Sequence, residues 1–354
     1  MIRLSICIAT RNRSKFLLET VKCLLGQITD EVEIVIVDGA STDDSKAKIE
    51  SLNISPKTLR YFYEDANSGV DGDFDKSIEY ASGKYCWLFS DDDLLQPNTI
   101  SSVINQLKAG PQLLVVNASI HTKHFEKVLS DGVLKFHKNR SFECQGEQAF
   151  LELAPYLSFI GAIVVERSFW LSRERKVFHG SAFAHIGVLF QSPLPNKVHV
   201  LAEPLIKIRY GNSEWAPRGF EIWLRQWPNQ VLMLENLSSE VREKVANNST
   251  FALFKFCILY RAMGSYNLDN YKRSVKGNYP RWTELILQLV LLAPVKLINA
   301  LLIVGYLKNS DSMINIYRLA NSCGASKFSK WVAEKYRLGA YLCDHSASAM
   351  GGEK

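Results

Sequence analysis

The sequence predicts an α/β fold, a mostly parallel sheet flanked by helices, followed by a helical C-terminal extension. Three observations predict it. Strand-like and helix-like patterns alternate over roughly the first 120 residues. The strand segments are near-continuous Ile/Val/Leu runs, as in strands covered on both faces. From about residue 215 onward the pattern turns helical.

The elements follow in order. Residues 4–9 are a short apolar run of β-formers. Ser14 caps a helix over 15–25, with Phe16, Leu17, Val21, Leu24 and Leu25 on one face. Residues 33–37 (EIVIV) are a second buried strand, 45–52 a helix, and 59–63 a third strand. A helix over 73–81 ends at Ser82-Gly83, a fourth strand covers 85–89, and Pro97 opens a helix toward Leu107. Residues 113–117 are a further strand, and 119–138 suggest a hairpin around Asp131-Gly132. Strands are expected at 159–165 and 203–210, then helices over 220–237 and 240–263. The expected domains are 1–215, a helical region 216–345, and a small polar tail 346–354.

At 354 residues, 47% hydrophobic and 22% charged, the chain is an ordinary globular composition, which excludes collagen-like and largely disordered classes. The net charge of +6 is uneven. Residues 1–150 hold 17 Lys+Arg against 21 Asp+Glu, and residues 251–354 hold 14 against 6. A uniformly basic nucleic-acid coat is therefore excluded, and no nucleic-acid partner is expected. The seven cysteines form no CxxC pair, and the N-terminus lacks a secretory apolar region, which together favour the cytoplasm.

Ligands of parallel α/β sheets bind beyond the carboxyl ends of the strands. Strand one is followed by Thr10, Arg11, Asn12 and Arg13, and strand two by Asp38, Gly39, Ala40, Ser41, Thr42 and Asp43. Strand three is followed by Glu64, Asp65, Asn67, Ser68 and Gly69, and strand four by Asp91, Asp92 and Asp93. Each cluster alone fits a set of turn residues and caps. Four in the same position after a strand point to a site. Three adjacent carboxylates repel one another, and a hard divalent cation, Mg²⁺ or Mn²⁺, relieves that repulsion; a solvated acidic loop at a helix start is the alternative. Asp38 is placed to accept hydrogen bonds from a ribose or base edge, Arg11 and Arg13 to meet phosphates, and Asn12 to shape the turn.

These segments resemble family 2 glycosyltransferases with the GT-A, Rossmann-like fold. The family's Thr-x-Asn-Arg loop corresponds to ICIATRNR at 6–13, and its Val-Asp-Asp-Gly-Ser-Thr-Asp to VDGASTD at 37–43. Gly39 stands where the second Asp is expected. An acidic-x-x-x-Gly stretch falls at 64–69, Ala-x-Gly-x-Tyr at 81–85, and DxD at 91–93 with Pro97 beyond. CWLFSDDDLL and PLIKIRYGNSEW are most similar to the abequosyltransferase-like branch that builds bacterial O-antigen. The resemblance implies sugar transfer from a nucleotide diphosphate sugar to a saccharide acceptor, expected to be lipid-linked, in surface polysaccharide synthesis; nucleotide-sugar binding without turnover is the alternative. By the same resemblance Asp38 and Asp65 hold the nucleoside with Thr10 and Arg11 beside it, and Asp91 and Asp93 hold the metal and sugar diphosphate, with Asp92 able to replace either. The family's catalytic base lies about 90 residues past the DxD, where residues 178–187 contain no Asp or Glu. His185 is the expected base, an imidazole being a general base near neutral pH, and a buried structural histidine packed beside Phe183 and Ile186 is the alternative.

Residues 285–307 are strongly apolar over a length that would span a bilayer, but Gln288, Pro294, Lys296 and Asn299 interrupt them. Two helices on the membrane surface are expected, with Trp282 and Tyr306 at the ends and Lys272, Arg273, Lys276, Arg281 and Lys308 drawn to anionic lipid. A core helix pair is the competing reading. The expected location is the inner face of the plasma membrane.

Overall fold

The computed structural model describes residues 1–142, 147–194, 196–213, 215–247, 249–308 and 313–339. The tail at 346–354, Cys144 and Cys343 lie outside these residues. The chain runs β1 (Leu4–Thr10), α1 (Ser14–Leu25), β2 (Val32–Asp38), α2 (Ser45–Glu50), β3 (Leu59–Tyr63), α3 (Gly69–Tyr80), β4 (Tyr85–Phe89) and β5 (Leu94–Leu95). It continues through α4 (Thr99–Leu107), β6 (Leu113–His121), β7 (Val128–Ser130), β8 (Arg140–Phe142), β9 (Ile163–Glu166) and β10 (Val198–Arg209).

The sheet order is β3-β2-β1-β4-β9-β6-β10-β5, with β7 on β6 and β8 on β10. The first four strands are parallel, and β9 runs antiparallel to both β4 and β6. The parallel half is the part read most directly from sequence. Its strands bury both faces: Ile6, Ile8, Ile34, Ile36, Trp87 and Leu88 are fully enclosed. In register, Thr10 pairs with Asp38 and Asp38 with Tyr63, so the carboxyl ends of β1, β2 and β3 form one edge.

Several boundaries differ from expectation for local reasons. The hairpin turns at 122–127, not at Asp131-Gly132, closed by the Thr122 amide on Lys127 O at 2.9 Å with Phe125 at φ 58°. Strand pairing of Ile120 with Ser130 fixes that register. The helix expected over 220–237 runs from Gly219 to Leu232, with a widened π-helical turn at Ile222–Gln226 just before Pro228, which has no amide hydrogen for the ladder. The helix expected over 240–263 is two, Ser239–Ala246 and Thr250–Ala262. Asn247 adopts φ 50° and the Ser249 hydroxyl accepts the Ala252 amide at 3.3 Å.

Two compact units result. Among the described residues, one comprises those within 1–119, 131–208 and 226–247; the other comprises those within 120–130, 209–225 and 249–339. The expected single boundary near 215 is replaced by an interleaved one, because residues 226–247 belong with the sheet-bearing unit.

In the second unit the apolar segment forms Arg281–Leu292 and Val295–Tyr306, bent by 96° at Ala293-Pro294. Among the described residues no single helix is long and apolar enough to cross a membrane. Each helix buries one narrow stripe, Thr283 and Leu287 on the first and Asn299 and Ile303 on the second. Asn299 is satisfied inside: its amide donates to Ala262 O and Leu319 O at 3.1 Å each, and its carbonyl accepts the Ser326 amide at 3.1 Å. The other face leaves Trp282, Leu285, Leu289, Leu292, Leu297 and Leu301 exposed. A wholly buried core pair is thereby excluded.

Candidate active site at the carboxyl edge of the parallel strands

The edge is built from the strand-end residues outward. Thr10 closes β1 and donates through Oγ1 to Asp91 Oδ2 at 2.7 Å. Three residues on, Arg13 turns back across the same carboxylate. Its Nε donates to Asp91 Oδ1 and Oδ2 at 2.9 and 3.1 Å, and its Nη2 to Asp92 Oδ2 at 2.5 Å. The guanidinium also lies over the Phe16 ring, 5.0 Å from its centroid. From α1, the Thr20 hydroxyl meets the backbone oxygens of Asp91 and Asp93 at 3.1 and 2.9 Å. The first loop thus clamps the acidic run by side chain and backbone together.

The second loop is stitched to the first. Asn12, at φ 55°, donates its amide to Ser41 Oγ at 2.8 Å and accepts the Thr42 amide at 2.7 Å. Asn tolerates this left-handed backbone better than most residues. Asp43 accepts the Ser14 and Ser45 amides at 3.0 Å each, so one carboxylate caps both α1 and α2. Asp38 is fully buried. Its Oδ1 accepts the Ser41 amide at 2.7 Å, and its Oδ2 accepts the Tyr61 hydroxyl.

The structure therefore brings Thr10, Asn12, Arg13, Asp38, Asp91 and Asp92 into one hydrogen-bonded edge. Asp93 is buried on its inner side, where burial and then its charge push the Tyr156 phenol upward. Arg11 and Asp65 are exposed. A carboxylate that interacts with Asp38 by charge is Asp73 of α3.

Burial, and then the charge of Asp92, push the Asp91 carboxyl up to about 6 despite Arg13. The acidic run thus keeps an excess of negative charge that one guanidinium does not offset. No group of three or more His, Cys, Asp or Glu converges as a metal cage among the described residues. A magnesium-type ion needs only one or two carboxylates when a substrate phosphate supplies the rest. The chemistry of this run fits such an ion.

The expected base requires correction. His185 sits in the helix Ala184–Phe190 and is 3% exposed. Its Nε2 donates to Leu157 O at 2.9 Å, Nδ1 has no hydrogen-bond partner, and burial pushes its pKa down to about 4. A ring enclosed in this way is structural. It also makes stability depend on pH: the folded value lies below the unfolded value of 6.5, so the stabilisation is present above pH 6.5 and is lost as pH falls toward 4. The difference corresponds to about 3 kcal/mol. Urea melts of the wild type should weaken between pH 7 and pH 4.5, and His185→Gln should flatten that dependence; an unchanged slope would refute the assignment.

The same segment contributes a histidine that the sequence reading passed over. His179 Nε2 lies 3.4 Å from Asp75 Oδ2 on α3, and its ring remains partly exposed. Asp75 is held by Trp170 Nε1 at 2.9 Å and Arg175 at 2.6 Å. Next to it, Asp71 Oδ2 accepts the Gly180 and Ala182 amides at 2.8 and 3.2 Å, docking the loop onto the start of α3. The signal was the alternation of Asp71, Asp73 and Asp75, which brings acidic groups to the edge from a helix, not from a strand end.

Comparison with known proteins agrees with this edge. The profile of Glycosyl transferase family 2 matches residues 5–151, which contain every loop just described except the one at 179–182. Through this segment the chain is similar to the family 2 glycosyltransferases. Abequosyltransferase RfbV of Salmonella typhimurium is 24% identical over 232 residues, 61% of this chain and 69% of that protein. The GalNAc(5)-diNAcBac-PP-undecaprenol beta-1,3-glucosyltransferase of Campylobacter jejuni is 27% identical over 111 residues, 31% of this chain and 36% of that one. Among solved structures, residues 1–349 of S. aureus TarS in complex with UDP-GlcNAc superpose with a TM-score of 0.56 at 14% identity. That superposition covers 96% of this chain and 93% of TarS 1–349, and establishes the shared GT-A fold.

Proposed function

We propose that this glycosyltransferase moves a sugar from a nucleotide diphosphate sugar to a saccharide acceptor carried on a lipid, in bacterial surface polysaccharide synthesis. The observation that carries the donor assignment is the Arg13 clamp, which fixes Asp91 and Asp92 against the β1 loop beside Asp38. Thr10, Arg11, Asn12 and Arg13 face the donor from one loop, and Asp38 orders the next. Mg²⁺ or Mn²⁺ would be held on the run of Asp91, Asp92 and Asp93. It would supply neutralisation of the departing diphosphate. His179, whose Nε2 meets Asp75 Oδ2 at 3.4 Å, would take the acceptor's proton.

The lipid-linked acceptor follows from the exposed leucine face of the second unit and its basic surroundings, which suit the anionic inner face of a membrane. The printed name of the Campylobacter relative places its own acceptor on PP-undecaprenol, in keeping with this reading. The test is transfer of labelled sugar from UDP-, CDP-, GDP- and dTDP-sugars to lipid-linked saccharide. Product is expected with Mn²⁺ from one nucleotide class. It should be lost on chelation and in Asp93→Ala. Undiminished turnover under chelation would remove the metal from the mechanism, and no product from any donor would remove the activity.

A further inference from the structure

The resemblance stated above leaves one carboxylate missing, because Gly39 stands where a second Asp follows Asp38. The structure shows what fills the space. A Cβ built at Gly39 would overlap Asp73 Oδ2 and lie 3.3 Å from Asp73 Cγ and 3.4 Å from Asn67 Oδ1. A side chain at 39 is therefore incompatible with Asp73 in its observed rotamer.

Asp73 is 3% exposed, in the second turn of α3. Its Oδ1 accepts the Ser68 hydroxyl at 2.5 Å. Lys76 favours its charge from a distance but is not its ion-pair partner, since Lys76 Nζ is engaged by Glu64 at 2.5 Å. The carboxylates of Glu64 and Asp38 act on it unfavourably. A buried carboxylate without a paired cation is costly and is retained where something else uses it. Asp38 is fully buried, and each of its oxygens already accepts one hydrogen bond, from the Ser41 amide and the Tyr61 hydroxyl.

We infer that Asp73 is a donor-binding residue that takes over, from α3, the carboxylate missing at position 39. Its ligand is the nucleoside of the donor, whose ribose hydroxyls or base N–H groups donate to Oδ2. The loss of a side chain at Gly39 and the arrival of Asp73 are then one change. The inference rests on the donor reading given above.

Titration calorimetry with UDP, CDP, GDP and dTDP separates the two. One of these should bind the wild type, and that nucleotide is used throughout. Asp73→Asn, which keeps the volume, and Asp73→Ala should each weaken binding about tenfold or more, as when a site built for a hydrogen bond loses one partner. Gly39→Asp alone should also weaken it, through the clash with Asp73. Gly39→Asp combined with Asp73→Ala should bind more tightly than either single variant, a non-additivity expected only of residues that share one space. Wild-type affinity in a folded Asp73→Asn would overturn the inference while leaving the donor reading intact. So would a folded double variant no tighter than Asp73→Ala. Absence of binding by the wild type to all four nucleotides would overturn the donor reading, and the inference with it.

Discussion

Arg13→Met is expected to abolish transfer and to destabilise the fold by about 3 kcal/mol, the range for removing one partner of a buried ion pair. Both effects come from the same geometry. Arg13 holds Asp91 through two hydrogen bonds and Asp92 through a third, and its side chain and that of Asp91 are 12% and 10% exposed. Without the guanidinium, Asp91 keeps only the Thr10 hydroxyl as a side-chain donor among the described contacts, while Asp92 continues to repel it. The carboxyl that already sits near 6 rises further, so the variant should lose stability as pH rises through that range. The sign follows from a folded pKa above the unfolded value of 3.8: the folded state holds the proton more tightly, and ionisation works against it. Adding Asp91→Asn to Arg13→Met should recover most of the lost stability, since the uncompensated charge is gone, yet recover no transfer. Urea melts at pH 5 and pH 8, with the transfer assay, read both. A fully stable Arg13→Met at pH 8 would show that the clamp is not buried in the way described.

The second large effect concerns the outer face of the bent helix pair. Leu289→Glu with Leu301→Glu should reduce binding to vesicles containing anionic phospholipid by about 100-fold or more. Each leucine contributes about 1.5–3 kcal/mol when taken out of water. Leu289 is 67% exposed and Leu301 61% exposed, so neither change removes a packing contact of the folded unit. Their spacing with Trp282, Leu285, Leu292, Leu297 and Val304 puts one exposed apolar stripe on each helix. Lys272, Arg273, Lys276, Arg281, Lys296 and Lys308 are exposed around them, so neutral vesicles should bind the wild type more weakly than anionic ones. Thermal melts should be unchanged in the double variant. By contrast Leu287→Glu, on the fully buried side, should unfold the unit. Vesicle binding that survives the double substitution would assign membrane contact to another surface. A change in oligomeric state instead would make the stripe a contact between copies of the chain.

How much of this was legible beforehand depends on the kind of interaction. The parallel strands were, because Ile/Val runs report burial on two faces directly, and the polar edge was, because strand ends are local in sequence. The Pro294 break was legible from a single residue's covalent chemistry. What escaped were contacts between segments. That Arg13, rather than Arg11, reaches the acidic run depends on the left-handed turn at Asn12. The enclosed alternative for His185 was open in the sequence, but choosing it over the base depends on which side of Ala184–Phe190 packs inward, and a seven-residue helix carries too little periodicity to say; that His179 meets Asp75 was not legible. Asp73 was read as an ordinary position in a helix. Only the proximity of α3 to Gly39 gives it a role.

The central claim is that a nucleoside diphosphate sugar sits at the carboxyl edge of β1, β2 and β4. Amide hydrogen exchange with and without the nucleotide sugar tests it most directly. Protection is expected at residues 10–13, 38–43, 67–73 and 91–93, the loops that meet at that edge. Protection confined to other segments, with these four loops unchanged at saturating ligand, would contradict it.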